Sequence, residues 1–166
     1  GDTYAYLVWS VADASVLANR TLALYRKSGT ADSTNTFSRL TILKPAEDSQ
    51  LVASLKPRAV KLGDDFSTLD AQLDRLIGDL APVDGALMAD KLAVLVTASR
   101  NSPEQRQALH LLARQHPLVG FAMGLAYADQ ITPNGFKTYE LRDYDAATDS
   151  DRASRSAWLH TVPSAK

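Results

Sequence analysis

The spacing of hydrophobic residues predicts strands at both ends of the chain and helices in its middle. Near the N-terminus, apolar and polar positions alternate with a period of two, which is typical of strands that have one face on a core. We predict three strands there, over residues 4–11, 21–27 and 37–43. The more apolar face of the first strand, which we expect to be buried, carries alternate residues: Ala5, Leu7, Trp9 and Val11.

From residue 45 onward the hydrophobic period changes to 3.6, and the sequence predicts about five helical segments. The first contains Pro57, which we expect to kink this helix or to split it in two, because proline lacks an N–H and clashes with the preceding turn. The clearest amphipathic stripe belongs to the next helix, which we expect to open near Asp64 or Asp65.

Two more helical patterns and one apolar run follow. A helix is predicted over about 86–99, and another begins at Ser102, which is suited to be its N-cap with Gln105 completing a capping box. Residues 118–131 are apolar almost all round, and we predict that they form the last, buried helix.

Alternation with a period of two returns near the C-terminus. We predict strands over 136–144 and 157–162, with a polar loop over 146–156 between them. Short strand groups are marginal in isolation, so we expect the two end blocks to pair with each other. The predicted fold class is therefore α+β: a small antiparallel β-sandwich made by residues 1–44 and 133–166, with a helical bundle, residues 45–132, inserted between them.

The strand sequences carry a resemblance to a known architecture. An early strand holds a tryptophan, Trp9, and the next holds the core-like run Leu22–Tyr25. A late strand reads tyrosine, one residue and a hydrophobic residue before a short polar run, over Tyr139–Asp145, and Ala157–Val162 resembles the closing edge strand. These features resemble the fibronectin type III-like or immunoglobulin-like β-sandwich of bacterial secreted or surface proteins, here interrupted by a helical insertion. The resemblance implies an extracellular, periplasmic or cell-surface location.

Composition and charge narrow the range of functions. Hydrophobic residues make up 45% and charged residues 22% of the 166-residue chain, as in ordinary globular proteins. Lys and Arg number 18 against 19 Asp and Glu, so the strong basic excess of a general nucleic-acid binder is missing. There is no cysteine, which excludes disulfides, cysteine-ligated zinc and thiol catalysis. No apolar run approaches the length of a membrane span, and we expect no cofactor.

Acidic side chains are the main candidates for chemistry. Four aspartates cluster near the predicted polar loop and are weak candidates for calcium ligands: Asp143, Asp145, Asp149 and Asp151. Their spacing does not fit an EF-hand, and neighbouring arginines favour a solvated loop instead. Asp64 and Asp65 are adjacent, as paired acid and base groups can be, but both suit the start of a helix, and we predict that they cap it.

The histidines and the first strand offer weaker candidates. His110 is predicted to be exposed, and His116 lies at a helix end, while the third histidine is His160. None of their spacings fits a metal site on a helix. Tyr4 and Tyr6 share the outward face of the first strand, so they either pack against the helical part or form an external interface.

Three function hypotheses stay open at this stage. The first is a non-enzymatic binding or structural module of a larger exported or cell-surface bacterial protein, whose partner is another protein or a neighbouring domain of the same chain. The second is an enzyme whose site lies where sandwich and helices meet and uses carboxylates such as Asp64, Asp65 or Glu140. The third is a self-associating assembly domain. The sequence does not fix the oligomeric state.

Overall fold

The fold belongs to the α+β class, as the hydrophobic periods predict. The structure is a computed structural model, which describes residues 3–9, 21–80, 86–131, 135–148, 150–151 and 158–161. Five α-helices are found within these ranges: α1 Ser49–Lys61, α2 Phe66–Ile77, α3 Met88–Ser99, α4 Pro103–Ala113 and α5 Pro117–Met123. The strands are β1 Thr3–Val8, β2 Leu22–Ser28, β3 Ser38–Leu43, β4 Ala126–Ile131, β5 Lys137–Asp145, β6 Ser150–Asp151 and β7 Trp158–Thr161.

The chain divides into two compact units. The first contains the described residues of Gly1–Leu7, Arg20–Leu43 and Ala128–Lys166, and the second contains those of Val8–Asn19 and Lys44–Tyr127. The first unit is built from strands, and the second contains all five helices.

The main sheet of the first unit is antiparallel, and its interior strands are β2 and β5. The strand order is β3-β2-β5-β6, and β7 also pairs with β5. The ladder between β2 and β5 is regular and runs from the Leu22–Asp143 pair to the Ser28–Lys137 pair. Within the described residues, β3 pairs with β2 alone, and its register shifts so that Leu40 is the extra residue of a bulge. A bulge next to the charged Arg39 protects an edge strand from pairing with other chains.

A second, two-stranded sheet pairs β1 with β4, and it corrects the prediction for residues 118–131. These residues were predicted to form one buried helix, but α5 ends at Met123 and Gly124 adopts a left-handed conformation (φ 71°, ψ 25°). Strand β4 begins two residues later. A short apolar run fits a buried helix and a buried strand equally well, so hydrophobicity alone did not reveal this change. Glycine reaches a left-handed conformation at little cost, which allows the chain to turn there.

Side chains cap the starts of α1 and α4, and the cap at Ser102 was predicted. Asp48 accepts a hydrogen bond from the Leu51 N–H and caps α1. Ser102 accepts from the Gln105 N–H at 3.3 Å, as predicted, with Pro103 in the first turn of α4. The reciprocal half of that capping box is missing, because Gln105 Oε1 is buried and has no partner in the part of the chain that the structure describes.

The prediction that Pro57 splits the first helix in two is wrong, because α1 continues through it from Ser49 to Lys61; the alternative, a kink at Pro57, stays a prediction. Pro57 removes one intrahelical bond, the one that the carbonyl of Ala53 would accept. Both residues are exposed, so that carbonyl lies on a face where water can replace the lost donor. The helix therefore survives the proline without a break.

The burial pattern confirms most of the predicted core faces. On β1, Ala5 and Leu7 are buried, while Tyr4 and Tyr6 are half-buried and Val8 is exposed. Trp9 is also buried, whereas Val11 lies outside the described residues. In the second unit, α1 packs against α3 and α5, and α4 packs against α3 and α5. Its fully buried side chains are mostly leucine and valine: Val52, Leu69, Leu73, Leu92, Leu95, Val96, Leu109, Leu118, Val119 and Leu125.

Candidate functional site

The first unit holds a buried cluster around Asp129 on β4. Arg26 on β2 donates through Nη1 to both carboxylate oxygens of Asp129, at 2.8 Å and 2.7 Å. The hydroxyl of Tyr139 on β5 donates to Asp129 Oδ2 at 2.7 Å. Arg26 and Tyr139 are direct partners in the ladder between β2 and β5, so their side chains leave the same face of the sheet.

The environment of this cluster explains why all three groups are bonded. The Asp129 side chain is 6% exposed, Tyr139 is fully buried and the Arg26 side chain is 32% exposed. A buried carboxylate is costly unless it is paired and hydrogen-bonded. Arg26 and Tyr139 both donate hydrogen bonds to the Asp129 carboxylate. The arrangement can hold β2, β4 and β5 together, and it leaves little of the carboxylate in contact with water.

Sequence reasoning missed the Asp129 cluster. Asp129 belongs to the run that was predicted as a helix, so no partner on a strand was expected. One signal was present: a single carboxylate in an otherwise apolar stretch requires a buried partner.

A second buried pair lies in the helical unit. His116 Nδ1 is 2.8 Å from Asp64 Oδ1, and Asp64 Oδ2 accepts a hydrogen bond from the Leu118 N–H at 2.8 Å. The side chains of Asp64 and His116 are 0% and 5% exposed. Asp64 follows α1, whereas His116 is the N-cap residue of α5, so the pair links two turns of the unit. The Asp64 carboxylate also faces the N-terminal turn of α5, where negative charge is favoured.

Asp65 has a different role from its neighbour. Its carboxylate is the N-cap of α2 and accepts bonds from the N–H groups of Ser67 and Thr68 and from both of their hydroxyls. These bonds, led by that from the Thr68 hydroxyl, lower the pKa of Asp65 from 3.8 to about 2. Capping was predicted for this pair, and it is confirmed at Asp65, whereas Asp64 is buried against His116 instead.

The other two histidines are His110 and His160. His110 on α4 is half-buried rather than exposed, which corrects its prediction. Burial lowers the pKa of His110, and the charges of Arg114 and Arg106 lower it further. The side chain of His160 lies outside the described residues; its backbone pairs with Thr138 on β5.

The calcium candidates are only partly described. Asp143 and Asp145 both lie on β5, and Asp145 Oδ1 accepts a bond from the Ala147 N–H. Asp149 lies outside the described residues, and of Asp151 only the backbone pairing with Tyr144 is described. Among the described residues, no group of three His, Asp or Glu side chains is placed to hold a metal ion. A calcium site here stays a prediction.

The opposite face of the main sheet carries stacked cations and aromatic rings. The Arg142 guanidinium lies 3.9 Å from the ring centre of Tyr25 and 5.6 Å from that of Phe37. Glu140, a carboxylate of the enzyme hypothesis, is 3.3 Å from Arg142 Nε. Lys27 lies 5.0 Å from the Phe37 ring centre. Such cation–π contacts stabilise the face.

Lys27 also organises the loop between β2 and β3. Its side chain is buried although it is charged, and Nζ donates to the carbonyl oxygens of Ala31 at 2.8 Å and Ser33 at 3.0 Å. Ser33 and Asn35 in turn donate to the carbonyl of Ser28. The sequence showed a polar loop here but not the buried ammonium at its base.

The comparisons with known proteins give no relative. Neither the protein-family models, nor the curated proteins, nor the solved structures contain a match to this chain. Within the described residues, no helix is long and apolar enough to cross a membrane. The functional assignment therefore depends on the chemistry of the residues above.

Proposed function

We propose that this chain is a non-catalytic module of a longer, exported bacterial protein, where it binds a protein partner or spaces neighbouring domains. The observation that carries the proposal is how the two buried carboxylates are hydrogen-bonded. Both carboxylate oxygens of Asp129, and both of Asp64, lie within hydrogen-bond distance of side-chain or backbone groups of this chain. A carboxylate that reacts with a substrate needs at least one oxygen directed at the reacting group.

The exported location and the sandwich architecture are part of the same proposal. The resemblance of the strand sequences to fibronectin type III-like domains supports both. The Asp129 cluster adds support for the sandwich, because Arg26 and Tyr139 on one sheet bond to a residue of the other. Two sheets that share a buried interface are the essential feature of a sandwich.

The test of the proposal is whether replacing a buried carboxylate lowers or raises the free energy of unfolding. Residues kept for reactivity are often held at a cost in stability, so their replacement tends to stabilise a protein. A structural carboxylate behaves in the opposite way, because its loss leaves buried donors unpaired. We expect Asp129→Asn and Asp64→Asn each to lower the free energy of unfolding by about 2 kcal/mol. For a chain of this length, that lowers Tm by about 4–8 °C.

The measurement is thermal unfolding of the full chain, with Glu104→Gln as the control because Glu104 is an exposed carboxylate in the first turn of α4. We expect the control to change Tm by less than about 2 °C. An increase in Tm for Asp129→Asn or Asp64→Asn would contradict the proposal, since it would show a carboxylate held in place against the stability of the fold.

A further inference from the structure

The outward face of α1 carries an apolar strip. Ala53, Pro57 and Val60 are spaced by four and three residues, which places them on one side of the helix. All three are exposed, and Val60 is 57% exposed. A different side of α1, with Val52 and Ala59, is buried in the helical unit. The strip is therefore separate from the surface that α1 uses to pack against α3 and α5.

Basic residues border this strip on both sides. Lys56 precedes Pro57 and Lys61 follows Val60, which puts one lysine at each flank of the strip. Helix α1 contains no acidic residue between Ser49 and Lys61. The C-terminal turn of a helix favours basic side chains in any protein, which accounts for Lys61 but not for Lys56 in the middle of the helix.

A neighbouring ring holds Lys56 in place, because its Nζ lies 5.4 Å from the Phe66 ring centre. A cation held against a ring keeps its charge and loses less conformational entropy when it pairs with a partner.

We propose that the outward face of α1, defined by Ala53, Pro57 and Val60 with Lys56 and Lys61 at its flanks, docks an acidic amphipathic helix of a partner protein. The strip extends over about 10 Å, or two helical turns, which suits the apolar stripe of a second helix. Acidic residues beside that stripe pair with the flanking lysines, as charged residues do beside the seam of a coiled coil. This inference rests on the proposed function and names the surface and the partner chemistry.

The test uses a synthetic helical peptide of about 18 residues with a leucine stripe flanked by glutamates, long enough for a helix that exceeds the strip. Binding of the fluorescently labelled peptide to the full chain is followed by anisotropy at low and at high salt. We expect saturable binding that weakens as salt screens the charges. A peptide with lysine in place of each glutamate is expected to bind at least about tenfold more weakly, because its charges repel the lysines of α1.

Two variants of the chain locate the site. We expect Val60→Asp, and separately the double change Lys56→Glu with Lys61→Glu, to weaken binding of the glutamate peptide about tenfold. Leu111→Asp is the matched control, because Leu111 on α4 is 56% exposed and the substitution is of the same kind. Circular dichroism checks that each variant is folded.

Three outcomes would overturn the inference: no binding of the glutamate peptide, equal binding of the lysine peptide, or a loss of binding in Leu111→Asp that matches the loss in Val60→Asp. None of them affects the stability changes at Asp129 and Asp64, so this inference fails separately from the proposed function. Conversely, a stabilising change at either carboxylate would contradict the non-catalytic module even if the peptide binds.

Discussion

Arg26 and Asp129 are 103 residues apart in the chain, yet one guanidinium nitrogen of Arg26 donates to both carboxylate oxygens of Asp129. The bond joins β2 of the main sheet to β4 of the two-stranded sheet. A buried ion pair of this kind is weak evidence for stability, since desolvation of both groups offsets much of their attraction. Replacing only one member of the pair lowers the free energy of unfolding, because the other charge is then left buried without its partner.

This asymmetry predicts the result of a double-mutant cycle. We expect Arg26→Met to lower the free energy of unfolding by about 2–3 kcal/mol, because Asp129 keeps only its bond from Tyr139. We expect the double variant Arg26→Met with Asp129→Leu to be more stable than the sum of the two single changes predicts, by about 1–2 kcal/mol. Urea unfolding measures all four proteins.

The control for this cycle is Asp32→Asn, a change at an exposed carboxylate of the β2–β3 loop, combined with the same Arg26→Met. We expect those two changes to add within about 0.5 kcal/mol. Simple additivity of Arg26→Met and Asp129→Leu would instead show that the two side chains do not interact in solution.

The fold could be predicted where local signals and hydrophobic period agree. Ser102 caps α4 and Asp65 caps α2, as their sequence contexts indicate. The strand at β4 could not be predicted, because the run around Gly124 is apolar on all sides and carries no period that separates helix from strand. The turn at Gly124 also depends on packing against the backbone of Lys44, which is distant from it in sequence.

The candidate site was less predictable than the fold. A single acidic residue in an apolar run indicates that a buried partner is needed, but the run does not identify that partner. The partners of Asp129 are supplied by β2 and β5, and the partner of Asp64 follows it by 52 residues. Long-range pairs of this kind are set by tertiary packing, to which a single sequence gives no direct access. Asp65 was predictable because all of its bonds are local.

The turn at Gly124 predicts a position-specific effect of alanine. Gly124 has a φ of 71°, and a Cβ there would lie 3.3 Å from the carbonyl carbon of Lys44. We expect Gly124→Ala to lower the free energy of unfolding by about 2–3 kcal/mol, from the left-handed conformation and from this close contact with backbone. Gly63 also has a positive φ, 83°, but open space around the missing Cβ.

Gly63→Ala is therefore the matched control for Gly124→Ala. We expect it to cost only about 1 kcal/mol, because alanine there has the conformational penalty without a clash. Chemical denaturation compares the two variants. Equal losses at the two glycines would mean that the Lys44 backbone moves aside at no cost, and the close approach at Gly124 would then not contribute to stability.

The end of α3 depends on Arg106, a buried arginine of α4. Its Nη1 donates to the carbonyl oxygens of Ser99 at 2.8 Å and Arg100 at 2.7 Å, which satisfies two groups at the C-terminal end of α3. We expect Arg106→Met to lower the free energy of unfolding by about 2 kcal/mol, since methionine keeps much of the packing but leaves both carbonyls without this donor.

The control for Arg106→Met is Arg114→Met, at an exposed arginine just after α4. We expect it to change stability by less than about 0.5 kcal/mol. Hydrogen exchange adds a local readout, because the last turn of α3 should lose protection in Arg106→Met alone. Unchanged exchange there would show that water replaces the guanidinium without loss.

The cap at Asp65 predicts how the stability of the helical unit depends on pH. The pKa of Asp65 is about 2 in the folded protein, against 3.8 for a free side chain. Because the folded pKa is the lower one, the ionised carboxylate stabilises the fold above about pH 4, and this contribution is lost as the pH falls through 2. We expect the Tm difference between the natural chain and Asp65→Ala to be constant near neutral pH and to decrease below pH 4.

Asp65→Ser is the matched control, because serine also caps a helix but does not titrate. We expect this variant to retain more stability than Asp65→Ala, by an amount that changes little between pH 5 and pH 2. A Tm difference for Asp65→Ala that stays constant down to pH 2 would show that the carboxylate does not bond more strongly in its ionised form.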